Sequence, residues 1–193
     1  MPDLHDANRL FIEKRFSEAI ALYDQILKDN PSNLDAINNK GYALGKLKRH
    51  QEAINTYDFG LNIYPNDKSL LINKISSLRK IKSYQKALEI CNNMLNFDPN
   101  DNIVLYHKER ILYAMENYQE SAVCCDIILS SYPNNAEVLF DKAISLAKIQ
   151  DPKTISILKD AISADVQLKF KAKSHSAFLS YAHNHSFLRL VSD

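Results

Sequence analysis

Four prolines, Pro31, Pro65, Pro99 and Pro133, stand 34 positions apart along this chain. A period of that length means that one supersecondary unit is built several times over, each copy burying its apolar face only against its neighbours. Every one of these prolines is followed by a polar pair: Ser32-Asn33, Asn66-Asp67, Asn100-Asp101 and Asn134-Asn135. Proline breaks a helix, and the asparagine or aspartate after it offers a side-chain acceptor to cap the next. Two amphipathic stretches fit between successive prolines, for example 34–47 and 51–63, with apolar residues at spacings of three and four. That is the pattern of a helical hairpin. Ala19, Ala53, Ala87 and Ser121 recur near the start of each second helix, where only a small side chain lets helices approach closely. Tyr23, Tyr57, Cys91 and Cys125 follow four residues later in the same columns.

Composition agrees with helices joined by short turns. The 193 residues include only three glycines and no tryptophan, which argues against glycine-rich phosphate loops and turn-dense β structure. With 46% hydrophobic and 24% charged residues, the chain is expected to bury its core as a single soluble domain over 1–193. Its net charge of +1 supplies no global field for nucleic acid or an anionic membrane, so neither is expected as a partner. No stretch approaches the roughly 20 apolar residues of a membrane span, and the expected location is the cytoplasm. Cys91, Cys124 and Cys125 lack paired CxxC spacing and read as buried packing residues rather than a metal or redox site.

The residues resemble the tetratricopeptide repeat family, particularly its prokaryotic members. The fullest match lies over 36–67, with Asn39-Lys40-Gly41, Leu44, Ala53, Tyr57 and Tyr64-Pro65-Asn66. Gly41 fills the family's small-residue slot, Leu44 the large one after it, Ala53 the small residue opening the second helix and Tyr57 the aromatic slot. The resemblance implies an all-α, right-handed solenoid of five helix-turn-helix repeats, 1–33, 34–67, 68–101, 102–135 and 136–168, closed by a capping helix at about 169–191. Two departures stand out. Ile75 and Glu109 occupy the slot that is small in Gly41 and Ala143, so wider helix spacing is expected there. In the fifth repeat Asp151-Pro152 is expected to open the second helix as cap and first residue, and 169–182 reads as one further helix.

In this family the first helix of each hairpin lines a concave groove. The resemblance therefore implies a peptide-binding surface made by Asn38, Asn39, Tyr42 and Lys46, then Asn73 and Arg79, then Tyr106, His107, Arg110 and Tyr113. Ile72, Ser76, Lys80, Phe140, Asp141 and Ile144 join the same faces. Asparagine amides both donate and accept, tyrosines present amphipathic surface and arginines pair with carboxylates, a set suited to an extended peptide. Apolar Ile72, Phe140 and Ile144 call for a cover: a hydrophobic peptide, a second copy of the chain, or the tail around Phe187, Leu188 and Leu190. The co-chaperone members' clamp for a terminal carboxylate finds Leu4, Asn8, Asn39, Ser69 and Asn73 in its five slots, with both cations lost.

The lysine column Lys40, Lys74, Lys108 and Lys142 reads as stems covering helix seams. His175, His183 and His185 cluster near the C-terminus without ligand spacing, so no metal or cofactor is expected. There is no GxSxG, HExxH or P-loop, and the chain is not expected to be an enzyme. The function expected is that of a protein-binding adaptor, with a self-associating scaffold as the alternative.

Overall fold

The computed structural model describes residues 3–192, and among these there is no strand. Twelve α-helices follow in order: α1 (Leu4–Ile12), α2 (Phe16–Asp29), α3 (Leu34–Lys46), α4 (His50–Ile63), α5 (Lys68–Lys80), α6 (Tyr84–Phe97), α7 (Asn102–Ala114), α8 (Tyr118–Ser131), α9 (Ala136–Lys148), α10 (Thr154–Ala164), α11 (Leu168–Ser174) and, after a 3₁₀ helix at Ser176–Tyr181, α12 (His185–Val191). The chain divides into two compact units, Met1–Ile90 and Cys91–Asp193.

Local chemistry explains the helix boundaries. Asn33, Asp67, Asp101 and Asn135 each cap a first helix, their side-chain oxygens accepting from the N–H groups of Ala36, Leu70, Val104 and Val138. Replacing such a cap by alanine costs about 1 kcal/mol. The turn inside each hairpin is marked by a left-handed residue: Lys14, Lys48, Lys82, Glu116 and Gln150 have φ between 55° and 62°. These five share one 34-residue register, and none is a glycine.

In the first unit α1 packs on α2, α2 on α3, α3 on α4 and α4 on α5. Ala19 and Ala53 are fully buried in the places their small size requires, as are Tyr23 and Tyr57 beside them. A Cβ on Gly41 would lie 2.4 Å from Cε1 of Tyr57, so glycine is what lets the aromatic ring fill the hairpin. The lysine column acts as ties between hairpins: Lys40 of α3 meets Asp24 of α2 at 2.6 Å, and Lys74 of α5 meets Asp58 of α4.

In the second unit α7 packs on α8, α8 on α9 and α9 on α10, and Lys142 repeats the tie with Asp126. Glu109 is buried at 4% exposure and accepts from Ser121 Oγ at 3.0 Å, which also lies 3.0 Å from Ser145 Oγ. Its large side chain stands near Cys125, small where the second repeat has Tyr57, so bulk on one helix is matched by economy on the other.

Two expectations at the C-terminus need correction. Asp151 does not cap a helix; its carboxylate accepts from Lys153 N–H at 2.7 Å, forming a turn that carries Pro152, and α10 begins at Thr154. Nor is 169–182 one helix. His175 is extended, and its Nδ1 accepts from Ala177 N–H, which ends α11 and starts the 3₁₀ helix. That 3₁₀ helix packs back on α9, while α12 packs on α10 and α11. Phe178 is thereby buried against Phe140, His175, Tyr181 and Phe187, with ring centroids 5.7 to 6.4 Å apart.

Candidate functional site: first-helix faces of the two units

The expected groove residues of the first unit lie on α3 and α5. Asn39 Nδ2 donates to Asn8 Oδ1 at 2.9 Å, and Asn8 also accepts from the Tyr23 hydroxyl at 2.7 Å. Asn73 Nδ2 donates to Asn38 Oδ1 at 2.8 Å. One donor of each expected ladder amide is therefore engaged within the protein, across the seams that join α1 to α3 and α3 to α5. Burial pushes the Tyr23 phenol up to about 12, so it remains a donor at every physiological pH.

Tyr42 is exposed, its ring 5.5 Å from that of Phe11 and the Lys46 ammonium 4.8 Å from its centroid. Tyr42, Lys46, Asn73, Ser76 and Lys80 together border an open cleft of about 200 Å³. Gly45, His50, Tyr57 and Ser77 complete its lining. Of these, sequence reasoning missed Gly45, although it sits between two residues assigned to the groove, Ser77, which follows the assigned Ser76, and His50, which belongs to a second helix. A Cβ on Gly45 would meet nothing within 4 Å. Arg79 is half-buried near the end of α5.

The second unit's face is differently furnished. Tyr106, His107, Arg110 and Tyr113 project from α7, with Tyr106 and His107 edge to face at 6.5 Å. Arg110 lies over the Tyr106 ring at 4.5 Å and donates through Nη2 to Asp141 Oδ2 at 3.3 Å. Burial pushes the Asp141 carboxyl above the ordinary carboxylate range, and the Arg110 guanidinium opposes that shift. Arg110, Tyr113, Asp141, Ile144, His175 and Glu109 line a cleft of about 180 Å³. Phe140 and Ile144, expected as apolar groove residues in need of a cover, are each only 7% exposed. The cover is the chain's own C-terminal segment, through Phe178 and His175 more than through Leu188. No sequence signal marked His175 for this role, because the periodic pattern has ended before it.

Among the described residues no group of three or more His, Cys, Asp or Glu is placed to hold a metal ion, and no helix is long and apolar enough to cross a membrane. Cys124 is buried and its thiol pushed up to about 11, and burial raises Cys125 further; neither presents a nucleophilic thiolate near neutral pH.

Comparison with known proteins places this architecture. Residues 10–73 match the family model of the tetratricopeptide repeat. A search of curated proteins finds no match. Among solved structures the chain is similar to YrrB, described as a TPR protein with an unusual peptide-binding site, at 20% identity and a TM-score of 0.72, covering 88% of this chain and 89% of that one. It is similar also to a MamA RS-1 double mutant, at 16% identity and a TM-score of 0.77 over 85% and 93% of the two chains. MamA from Desulfovibrio magneticus RS-1, spanning its residue 41 to the end, gives 18% identity and a TM-score of 0.73 over 89% and 94%. At such identities the likeness is one of fold. Hairpins repeating every 34 residues, a match to the tetratricopeptide-repeat model over 10–73 and a shared fold across most of the chain make this a solenoid of the tetratricopeptide-repeat fold.

Proposed function

We propose that this protein is a non-catalytic adaptor that holds an extended segment of a partner protein on its first-helix faces. The repeat fold suggests protein–protein interaction in general. The observation that carries the specific reading is the open face of α3 and α5, where the exposed Tyr42 ring, the Lys46 and Lys80 cations and the half-buried Asn73 amide border a cleft left open by the described residues of the first unit. Aromatic anchors with a few convergent polar groups are the usual furniture of a peptide groove. Asn38, Asn39, Tyr42, Lys46 and Asn73 form this face. Tyr106, Arg110 and Tyr113, with His107 beside them, form a separate face on α7, and Arg79 adds a cation to α5. YrrB, similar in fold, is described as carrying a peptide-binding site, which supports the same kind of ligand here.

The test is affinity capture from native cell extract, comparing the wild type with Gly45→Trp, a variant that fills the cleft from a position with open space around it. Retained proteins are identified by mass spectrometry, and thermal melting checks that the variant is folded. A partner held by the wild type and lost by the folded variant supports the adaptor. Recovery of this chain alone, equally by both, contradicts it and points to a self-associating scaffold.

A further inference from the structure

Two pairs of lysines on α3 and α5 differ in kind. Lys40 and Lys74 are spent on Asp24 and Asp58. Lys46 and Lys80, which stand 34 positions apart and therefore at one register of successive first helices, make no ion pair among the described residues and border the same cleft. Among the described residues lining that cleft there is no carboxylate. Hydroxyls of Ser76 and Ser77 add donors, and His50 contributes an imidazole whose buried Nδ1 has no hydrogen-bond partner among the described residues. The register that Gly45 occupies holds Phe11, Arg79, Tyr113 and Ala147 elsewhere, so the cleft is open because one first helix lacks a side chain there. Its volume of about 200 Å³ falls below the roughly 300–1,000 Å³ of small-molecule sites and suits a single side chain.

We propose that this cleft is an acid-recognition subsite, receiving the carboxylate of a glutamate or aspartate inside an acidic, extended partner segment and holding it between the Lys46 and Lys80 ammonium groups. The proposal rests on the adaptor reading and deepens it. Two cations without an ion pair and two serine hydroxyls, in a cleft with no acid among its described lining residues, complement a carboxylate, and charge-assisted hydrogen bonds are the stronger kind. The ligand group is a side chain along the segment, since the adaptor reading runs an extended chain along α3 past the cleft.

A displayed library of random eight-residue peptides, each flanked by neutral linkers so that no free terminus is offered, tests this. Selected on the wild type, the peptides should converge on one fixed Asp or Glu, and changing that residue to its amide should weaken binding by about tenfold or more. Lys46→Gln with Lys80→Gln should abolish the acidic preference while leaving melting unchanged, and Gly45→Trp should abolish binding. Gly45→Ala serves as the folded control. Binders that converge without an acid, and are still lost in Gly45→Trp, overturn the acid subsite but leave the adaptor standing. An absence of binders, or binders indifferent to Gly45→Trp, overturns both. Sedimentation that shows a dimer converted to monomer by Gly45→Trp also overturns the proposal, by assigning the cleft to a second copy.

Discussion

The two units solve the same problem of an exposed first-helix face in opposite ways. In the second, Arg110 is drawn to Asp141 and Tyr106, and the apolar groove residues Phe140 and Ile144 lie beneath a tail pinned by Phe178. In the first, Tyr42 is exposed, Lys46 and Lys80 have no acidic partner among the described residues, and Gly45 leaves the cleft floor bare. A repeat array thus sets the geometry of its faces by the shared registers, while occupancy depends on residues outside them. The proposed partner is anchored on the face left uncovered within its own unit.

The contrast is broken most severely at Phe178. Phe178→Ala should cost about 3–5 kcal/mol, as large-to-small changes in a packed aromatic core do, whereas Tyr42→Ala should cost less than about 1 kcal/mol. Urea denaturation measures both. All three cysteines lie at or beyond Cys91, so iodoacetamide labelling reports on the second unit; it should be slow in the wild type and fast in Phe178→Ala. Equal costs for the two substitutions would mean that the second face is as open as the first.

Within α3 the comparison shrinks to two glycines. Gly41→Ala should destabilise by about 1–3 kcal/mol, because the new Cβ overlaps the buried Tyr57 ring. Gly45→Ala should instead stabilise by about 0.5–1 kcal/mol through helix propensity alone. Opposite shifts in melting temperature would locate the packed and open sides of the helix; a loss at both would place Gly45 in the core.

The smallest effects concern the two depressed histidines. Burial, aided by Lys80, holds His50 below the ordinary imidazole value, and burial with Lys148 does the same for His175. Each contributes stability that is present above the unfolded value of about 6.5 and is lost as pH falls through the folded value. NMR titration should find both below that value. An acidic peptide should move His50 upward and leave His175 in place.

The fold was legible because its determinants are periodic. Pro31 and its successors, the caps Asn33, Asp67, Asp101 and Asn135, and the small residues Ala19, Ala53 and Ala87 each repeat a local requirement that a sequence displays directly. The five left-handed turn residues were in the same register, but Lys, Glu and Gln carry no mark of positive φ. The candidate face was legible in part. Tyr42, Lys46 and Asn73 were assigned from the family resemblance together with helical spacing, yet neither reveals that Asn39 and Asn73 spend a donor on Asn8 and Asn38, since that depends on helix contacts between hairpins. The cover over Phe140 was one of three possibilities in the sequence, because His175 and Phe178 come after the period ends.

The most direct test of the contrast between the units is a heteronuclear NMR titration of the whole protein with a peptide selected on it. Shifts should concentrate at Tyr42, Gly45, Lys46, Asn73, Ser76 and Lys80, with Phe140, Ile144 and Phe178 unmoved. Shifts centred instead on Phe140, Ile144 and Phe178 would contradict it, showing that the covered face is the one that binds.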